Sequence, residues 1–305
     1  MAAFCVKEVI MDLSRTGIHT QKLHWYPGHM AKTRRLIMEN LKLIDVVVEI
    51  TDARIPFSGR NPNFDDIIKG KPRLIVMNKA DLADEEITKE WINYYKSLGV
   101  GVIPISCATG MGINKIFDKA RELISEKIQK DKERGINKTL KLMMVGIPNV
   151  GKSSLINRLS GKAGAVTGDR PGVTKGKQWI RIRKDAELLD TPGILPQKLE
   201  DEKSAVRLAW TGAIKDDIVN TEILSYSLLE YLRDNYPQKL AERYKISDFS
   251  EKAGWEILEL IGRKRGCVIS GGEIDTERAA RLVTEELRSC KIGRISLERV
   301  SDAEG

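Results

Sequence analysis

Residues 146–153 read Gly146-Ile147-Pro148-Asn149-Val150-Gly151-Lys152-Ser153, two glycines with four residues between them that close on a Lys-Ser pair. Glycine lets successive backbone N–H groups turn toward one centre, which suits a ring of phosphate oxygens. Lys152 then reaches the β and γ phosphates, and the Ser153 hydroxyl can ligate magnesium (Mg2+). The apolar run at 140–145 reads as a buried strand, and Ser154-Leu155-Ile156-Asn157 opens a helix whose N-terminus favours anions. Asn149, Val150, Gly151, Lys152, Ser153 and Ser154 are the expected phosphate-binding set.

Asn78-Lys79-Ala80-Asp81 follows another apolar run, at 74–77. An ionised carboxylate only accepts hydrogen bonds, so Asp81 can take the N1–H and 2-amino protons of guanine; adenine offers neither in that arrangement. The same residues also suit a polar helix cap ahead of Leu82. Ser106-Cys107-Ala108-Thr109-Gly110 follows a strand signal at 102–105 and can set backbone groups against guanine O6, although an ordinary turn has the same composition. Asp190-Thr191-Pro192-Gly193 brings a carboxylate to the magnesium shell and a Gly193 N–H to the γ-phosphate.

The elements that must carry these loops alternate. Strand signals at 46–50, 74–77, 102–105, 140–145, 178–182 and 188–189 are separated by helical patterns at 30–43, 84–98 and 113–130, which implies a doubly wound α/β domain on a mostly parallel sheet. Beyond about residue 204 helical patterns dominate, at 221–235, 250–263 and 276–290, as in a smaller, separate α-helical domain. The expected division is an N-terminal extension at 1–23, the α/β domain at 24–203 and the helical domain at 204–305. On that division, a chain ended near Lys203 keeps nucleotide binding. The base-reading pair at 78 and 106 precedes the phosphate-binding pair at 146 and 190, so the order is permuted; chain ends that lie close together on a surface allow this without a change of fold.

With Trp25-Tyr26-Pro27-Gly28-His29-Met30, Asp52-Ala53-Arg54-Ile55-Pro56 and Arg170-Pro171-Gly172-Val173-Thr174, the permuted set resembles the circularly permuted P-loop GTPases of the ribosome biogenesis GTPase A family. The resemblance implies hydrolysis of GTP as substrate, slow alone and stimulated by ribosomal subunits, in an assembly factor for the large ribosomal subunit. Its partners would be that subunit or its precursor and ribosomal RNA, with no membrane and no DNA. It assigns Thr174 to closing over magnesium and the γ-phosphate, and gives the helical domain to RNA. Asn149 resembles the asparagine of potassium-activated GTPases, which adds K+ to Mg2+ as an expected ion, while a role in loop geometry stays open. Ile194 stands where Ras-like GTPases orient the attacking water with glutamine, so His29 becomes the catalytic candidate; taken without the resemblance, a helix start or a packing position is the better reading of that histidine. Two alternatives remain, a nucleotide-gated RNA-binding protein with negligible turnover and a P-loop ATPase or kinase.

Lys plus Arg number 51 against 43 Asp plus Glu, a net charge of +8 that agrees with a polyanionic partner. In the helical region Arg263, Lys264, Arg265, Arg278, Arg281 and Arg288 alternate with Glu273, Glu277, Glu285 and Glu286, a pattern equally suited to a solvated surface. No run approaches the roughly 20 apolar residues of a membrane helix, and four scattered cysteines suit a reducing compartment. Acidic Glu8 and Asp12 speak against an organellar presequence, so a bacterial cytoplasm is expected, with the mitochondrial matrix as the alternative.

Overall fold

The computed structural model describes residues 27–68, 70–161, 178–191, 202–214, 216 and 219–303, with backbone alone for 27–33, 63 and 178. The described residues form two compact units. One holds 27–191 together with 296–303, and the other holds 202–295. This corrects the expected boundary: the last residues belong with the sheet, because Ser296, Leu297 and Glu298 are buried there by bonds no local pattern announces. The expected extension at 1–23 lies outside the described residues.

The sheet unit begins with α1 (Pro27–Asn40), followed by β1 (Val46–Asp52), α2 (Asn63–Ile67), β2 (Arg73–Asn78), α3 (Glu85–Ser97) and β3 (Gly101–Pro104). It continues through α4 (Ile116–Leu123), α5 (Ser125–Glu133), β4 (Leu140–Gly146), α6 (Lys152–Ser160), β5 (Gln178–Arg183) and β6 (Ala186–Asp190). The expected helix at 113–130 is a 3-10 turn and two short helices, broken at Ile124. Six strands lie in the order β3-β2-β1-β4-β6-β5, all parallel except the β5–β6 pair. The chain winds outward from β1 to β3 and, restarting at β4, outward the other way. The switch point therefore falls between β1 and β4, where ligands of open α/β sheets bind at the carboxyl ends of the strands.

Every residue of β1 is buried, whichever face it points to, so the strand is covered on both sides and its Val-rich run needs no alternation. On one face Ile37 of α1 and Phe64 of α2 pack with Val47, Met143, Val145 and Leu189. Leu43, which periodicity places with the apolar side of the first helix, is half exposed in a 3-10 turn just beyond α1. Asp84 caps α3 by accepting from Glu86 N–H at 3.0 Å, and acidic Glu85 and Glu86 complement the dipole of that first turn.

The helical unit contains α7 (Glu202–Trp210), α8 (Thr221–Asn235), α9 (Pro237–Tyr244), α10 (Gly254–Arg265) and α11 (Thr276–Arg288). Leu224, Leu228 and Leu232 of α8 form a buried stripe at helical spacing, as do Ile257, Leu258 and Ile261 of α10. The basic residues of this unit divide. Arg288 is bidentate to Asp216 at 2.8 Å and Arg281 pairs with Glu277, whereas Arg263, Lys264 and Arg278 stand exposed.

Candidate nucleotide-binding site

The loop between β4 and α6 leaves the sheet at Gly146, where a Cβ would lie 2.7 Å from the Ile50 carbonyl oxygen of β1. It enters α6 at Gly151, whose φ of +93° suits glycine and whose Cβ would meet Asn78 Nδ2 at 2.2 Å. Asn149 also takes a left-handed φ, 62°, which asparagine tolerates better than most residues, so loop geometry is reason enough for an asparagine there.

The close approach at Gly151 is made by a clamp. Asn78 Nδ2 donates to the Val150 carbonyl at 2.7 Å, and Asn78 Oδ1 accepts from the Cys107 N–H at 3.0 Å. One buried amide thus joins three of the sequence-predicted segments. Ala80 N–H donates to Ile105 O at 3.0 Å and ties the second to the third. Lys79, itself at φ 61°, is held from two sides: Nζ donates to Asn149 O at 3.1 Å and lies 3.0 Å from Asp52 Oδ2. Burial alone would raise the Asp52 carboxyl, but Arg54, bonded through Nε at 3.0 Å and Nη2 at 2.8 Å, acts with Lys79 to hold it well below the usual carboxylate range.

Segment 106–110 is fixed from within and from α6. The Ser106 hydroxyl is buried and accepts from Thr109 N–H at 3.1 Å, so it shapes its own turn. Arg158 of α6 donates from Nε to Cys107 O at 2.7 Å and from Nη2 to Ala108 O at 2.6 Å. Burial, reinforced by the nearby Asp81 charge and only partly opposed by Arg158, pushes the Cys107 thiol up to about 11. Asp81 is half-buried beside it.

On the phosphate side, Lys152 Nζ is buried 3.6 Å from Asp190 Oδ1. Burial lowers the pKa of this ammonium and Asp190 raises it again, with a net lowering. A poorly hydrated cation of this kind gains from meeting anionic phosphate oxygens. Thr191 Oγ1 donates to Met144 O at 2.6 Å, which pins the end of β6 beside the strand that feeds the loop. Ser153 is half-buried and Ser154 exposed, at the start of α6. Ser153 and Asp190 offer hard oxygen donors that suit magnesium, which takes few protein ligands when phosphates and water complete its shell. Among the described residues no group of three or more His, Cys, Asp or Glu could hold a metal ion. Thr174 and Gly193 lie outside the described residues, as does the side chain of His29, whose backbone begins α1.

Sequence reasoning missed Arg158, which has no local signature beyond being a cation on the helix after the loop. It also missed what Asp52 and Arg54 do; their spacing of two fits the turn in which Asp52 accepts the Arg54 N–H at 3.0 Å.

A family described as 50S ribosome-binding GTPase matches residues 141–245, a span that includes the phosphate loop but not the base-reading segments before it. Ribosome biogenesis GTPase A of Bacillus licheniformis is 46% identical over 281 residues, 92% of this chain and 99% of that protein. The chain belongs to the ribosome biogenesis GTPase A family. It is a GTPase whose nucleotide segments occur in permuted order. Mitochondrial ribosome-associated GTPase 1 of Mus musculus is 34% identical over 90% of each chain. A solved structure titled GDP-bound TM YlqF is similar in fold, with a TM-score of 0.61 and 30% identity, covering 88% of this chain and 100% of that one. No helix among the described residues is long and apolar enough to cross a membrane.

Proposed function

We propose that the chain binds and hydrolyses GTP at the β1/β4 switch point and uses the bound nucleotide to control its attachment to the large ribosomal subunit or its precursor, through ribosomal RNA. The observation that carries the site reading is the Asn78 clamp, because it sets the base-reading and phosphate-binding loops in one frame. Asp81 accepts from guanine, and the backbone of 106–110 meets O6. Lys152 offsets charge on the β and γ phosphates, and Ser153 with Asp190 and Thr174 would hold magnesium, which supplies further charge neutralisation when bound. The Gly193 N–H engages the γ-phosphate. His29 orients the attacking water, and Asn149 helps hold potassium; these two roles rest on the family resemblance.

For ribosomal attachment the support is the family itself, whose relatives are named for ribosome biogenesis in bacteria and for mitochondrial ribosomes in animals. Exposed Arg263, Lys264 and Arg278 are among the basic groups the helical unit offers to RNA. A bacterial cytoplasm is the setting this reading implies.

The test is GTP hydrolysis measured with and without mature and precursor large subunits, with subunit binding compared between a non-hydrolysable GTP analogue and GDP at fixed salt. Slow turnover alone, acceleration by subunits and tighter binding of one nucleotide form are expected. Equal binding in both forms overturns nucleotide control. Absence of turnover even with subunits present reduces the protein to a nucleotide-gated RNA binder. His29→Ala should lower hydrolysis with nucleotide affinity nearly unchanged; a parallel fall in both makes His29 structural. Equal rates in potassium and sodium remove the potassium role of Asn149.

A further inference from the structure

The sheet unit is closed by residues from the far end of the chain. Glu298 is almost wholly buried, and its carboxylate accepts from the Ser58 hydroxyl at 2.6 Å, from the Ser58 N–H at 3.2 Å and from the Phe57 N–H. Its backbone carbonyl accepts from Trp91 Nε1 at 3.4 Å. Next to it, Leu297 N–H donates to Arg54 O at 2.8 Å, and Ser296 Oγ accepts from Asp84 N–H at 3.1 Å. These contacts hold both ends of the turn 54–58. The start of that turn is Arg54, whose guanidinium fixes Asp52, which in turn holds Lys79 against the phosphate loop.

We infer that residues 296–298 form a hook that positions the guanine-nucleotide site: Glu298, its principal positioning residue, anchors the far end of the turn at Phe57 and Ser58, and Leu297 holds the Arg54 end, from which Asp52 and Lys79 follow. A carboxylate suits this place because it accepts several N–H and O–H donors at once, and a side chain without acceptors would leave buried donors unsatisfied. The hook follows directly on the helical unit in the chain, so the sheet unit is completed only after that unit has been made. Ending the chain near Lys203 therefore removes the brace of the nucleotide site and should weaken nucleotide binding, contrary to the expectation from the sequence.

The inference rests on the reading of the site given above, and its test separates the two. Release of a fluorescent GDP is timed in the full chain for Glu298→Ala, Glu298→Gln and Ser58→Ala, at a temperature well below each melting point. Glu298→Ala should speed release on the order of tenfold, the equivalent of one hydrogen bond to a charged acceptor, with smaller effects for Glu298→Gln and Ser58→Ala. Coupling is reciprocal, so GDP should also slow hydrogen exchange at the Leu297 amide of the unaltered protein. That measurement stands even if Glu298→Ala does not fold. A lowered melting point with unchanged release in every folded variant and no protection at Leu297 overturns the hook. Failure of the unaltered chain to prefer GDP over ADP, or unchanged GDP binding in Asp81→Asn, overturns the site reading instead.

Discussion

The base-reading and phosphate-binding halves of the site are built by different means. Around 78–81 and 106–110 the backbone is held by side chains of several elements: Asn78 bridges two loops, Arg158 grips two carbonyls, and Asp52 with Arg54 steadies Lys79. Around 146–152 the shape comes mainly from the chain itself, from left-handed Asn149 and Gly151 and the start of α6, with Asn78 and Lys79 each holding one carbonyl. Its buried cation Lys152 faces a carboxylate at 3.6 Å. A base is recognised by fixed geometry, which favours prior bracing, whereas phosphates bring charge of their own. The halves should therefore fail differently when mutated.

The sharpest contrast comes from Lys152→Ala. GTP affinity should fall by about 3 kcal/mol, roughly a hundredfold, while the melting point without nucleotide moves little, since burial already disfavours that ammonium. Titration calorimetry with calorimetric melting checks this, and a large loss of unliganded stability would show that Lys152 braces the fold. Asp81→Asn comes next, with about 2 kcal/mol of guanine preference lost and a gain for xanthine nucleotides, whose 2-position carries an acceptor. Competition between GTP, XTP and ATP reads it; an unaltered ranking would remove Asp81 from the base contact.

Asn78→Ala cuts across the contrast, because that side chain serves both halves. We expect about 1–2 kcal/mol less stability in urea unfolding and weaker binding of GDP and GTP alike, since Val150 O and Cys107 N–H both lose a buried partner. A change in base selectivity alone would confine the clamp to one half.

The smallest effect is one of pH. Burial raises the Cys107 thiol from 9.0 to about 11, so the folded chain holds this proton after the unfolded chain has lost it. The corresponding stability is complete below pH 9.0 and is lost as the pH climbs toward about 11. Peptide-resolved alkylation of Cys107 should have its half-point near 11 instead of 9.0, and a half-point at the lower value would mean that the turn opens readily.

What the sequence determined alone is local. A strand, a glycine-bounded turn and a helix start at 140–157 lie within one short run, so backbone freedom and helix dipole show directly in residue order. The acceptor-only chemistry of Asp81 needs no fold to be recognised, and the permuted order is a fact about sequence position. The alternation of strands and helices likewise announced the sheet, since buried β-branched runs such as 46–48 have little other use. Only the tertiary structure decided what braces these parts. Arg158 meets Cys107 across 51 residues, Asn78 meets Val150 across 72, and Glu298 meets Ser58 across 240. Such pairs leave no periodicity in the sequence, because each partner sits in an ordinary-looking loop or helix and becomes essential only when burial removes the water that would otherwise satisfy it.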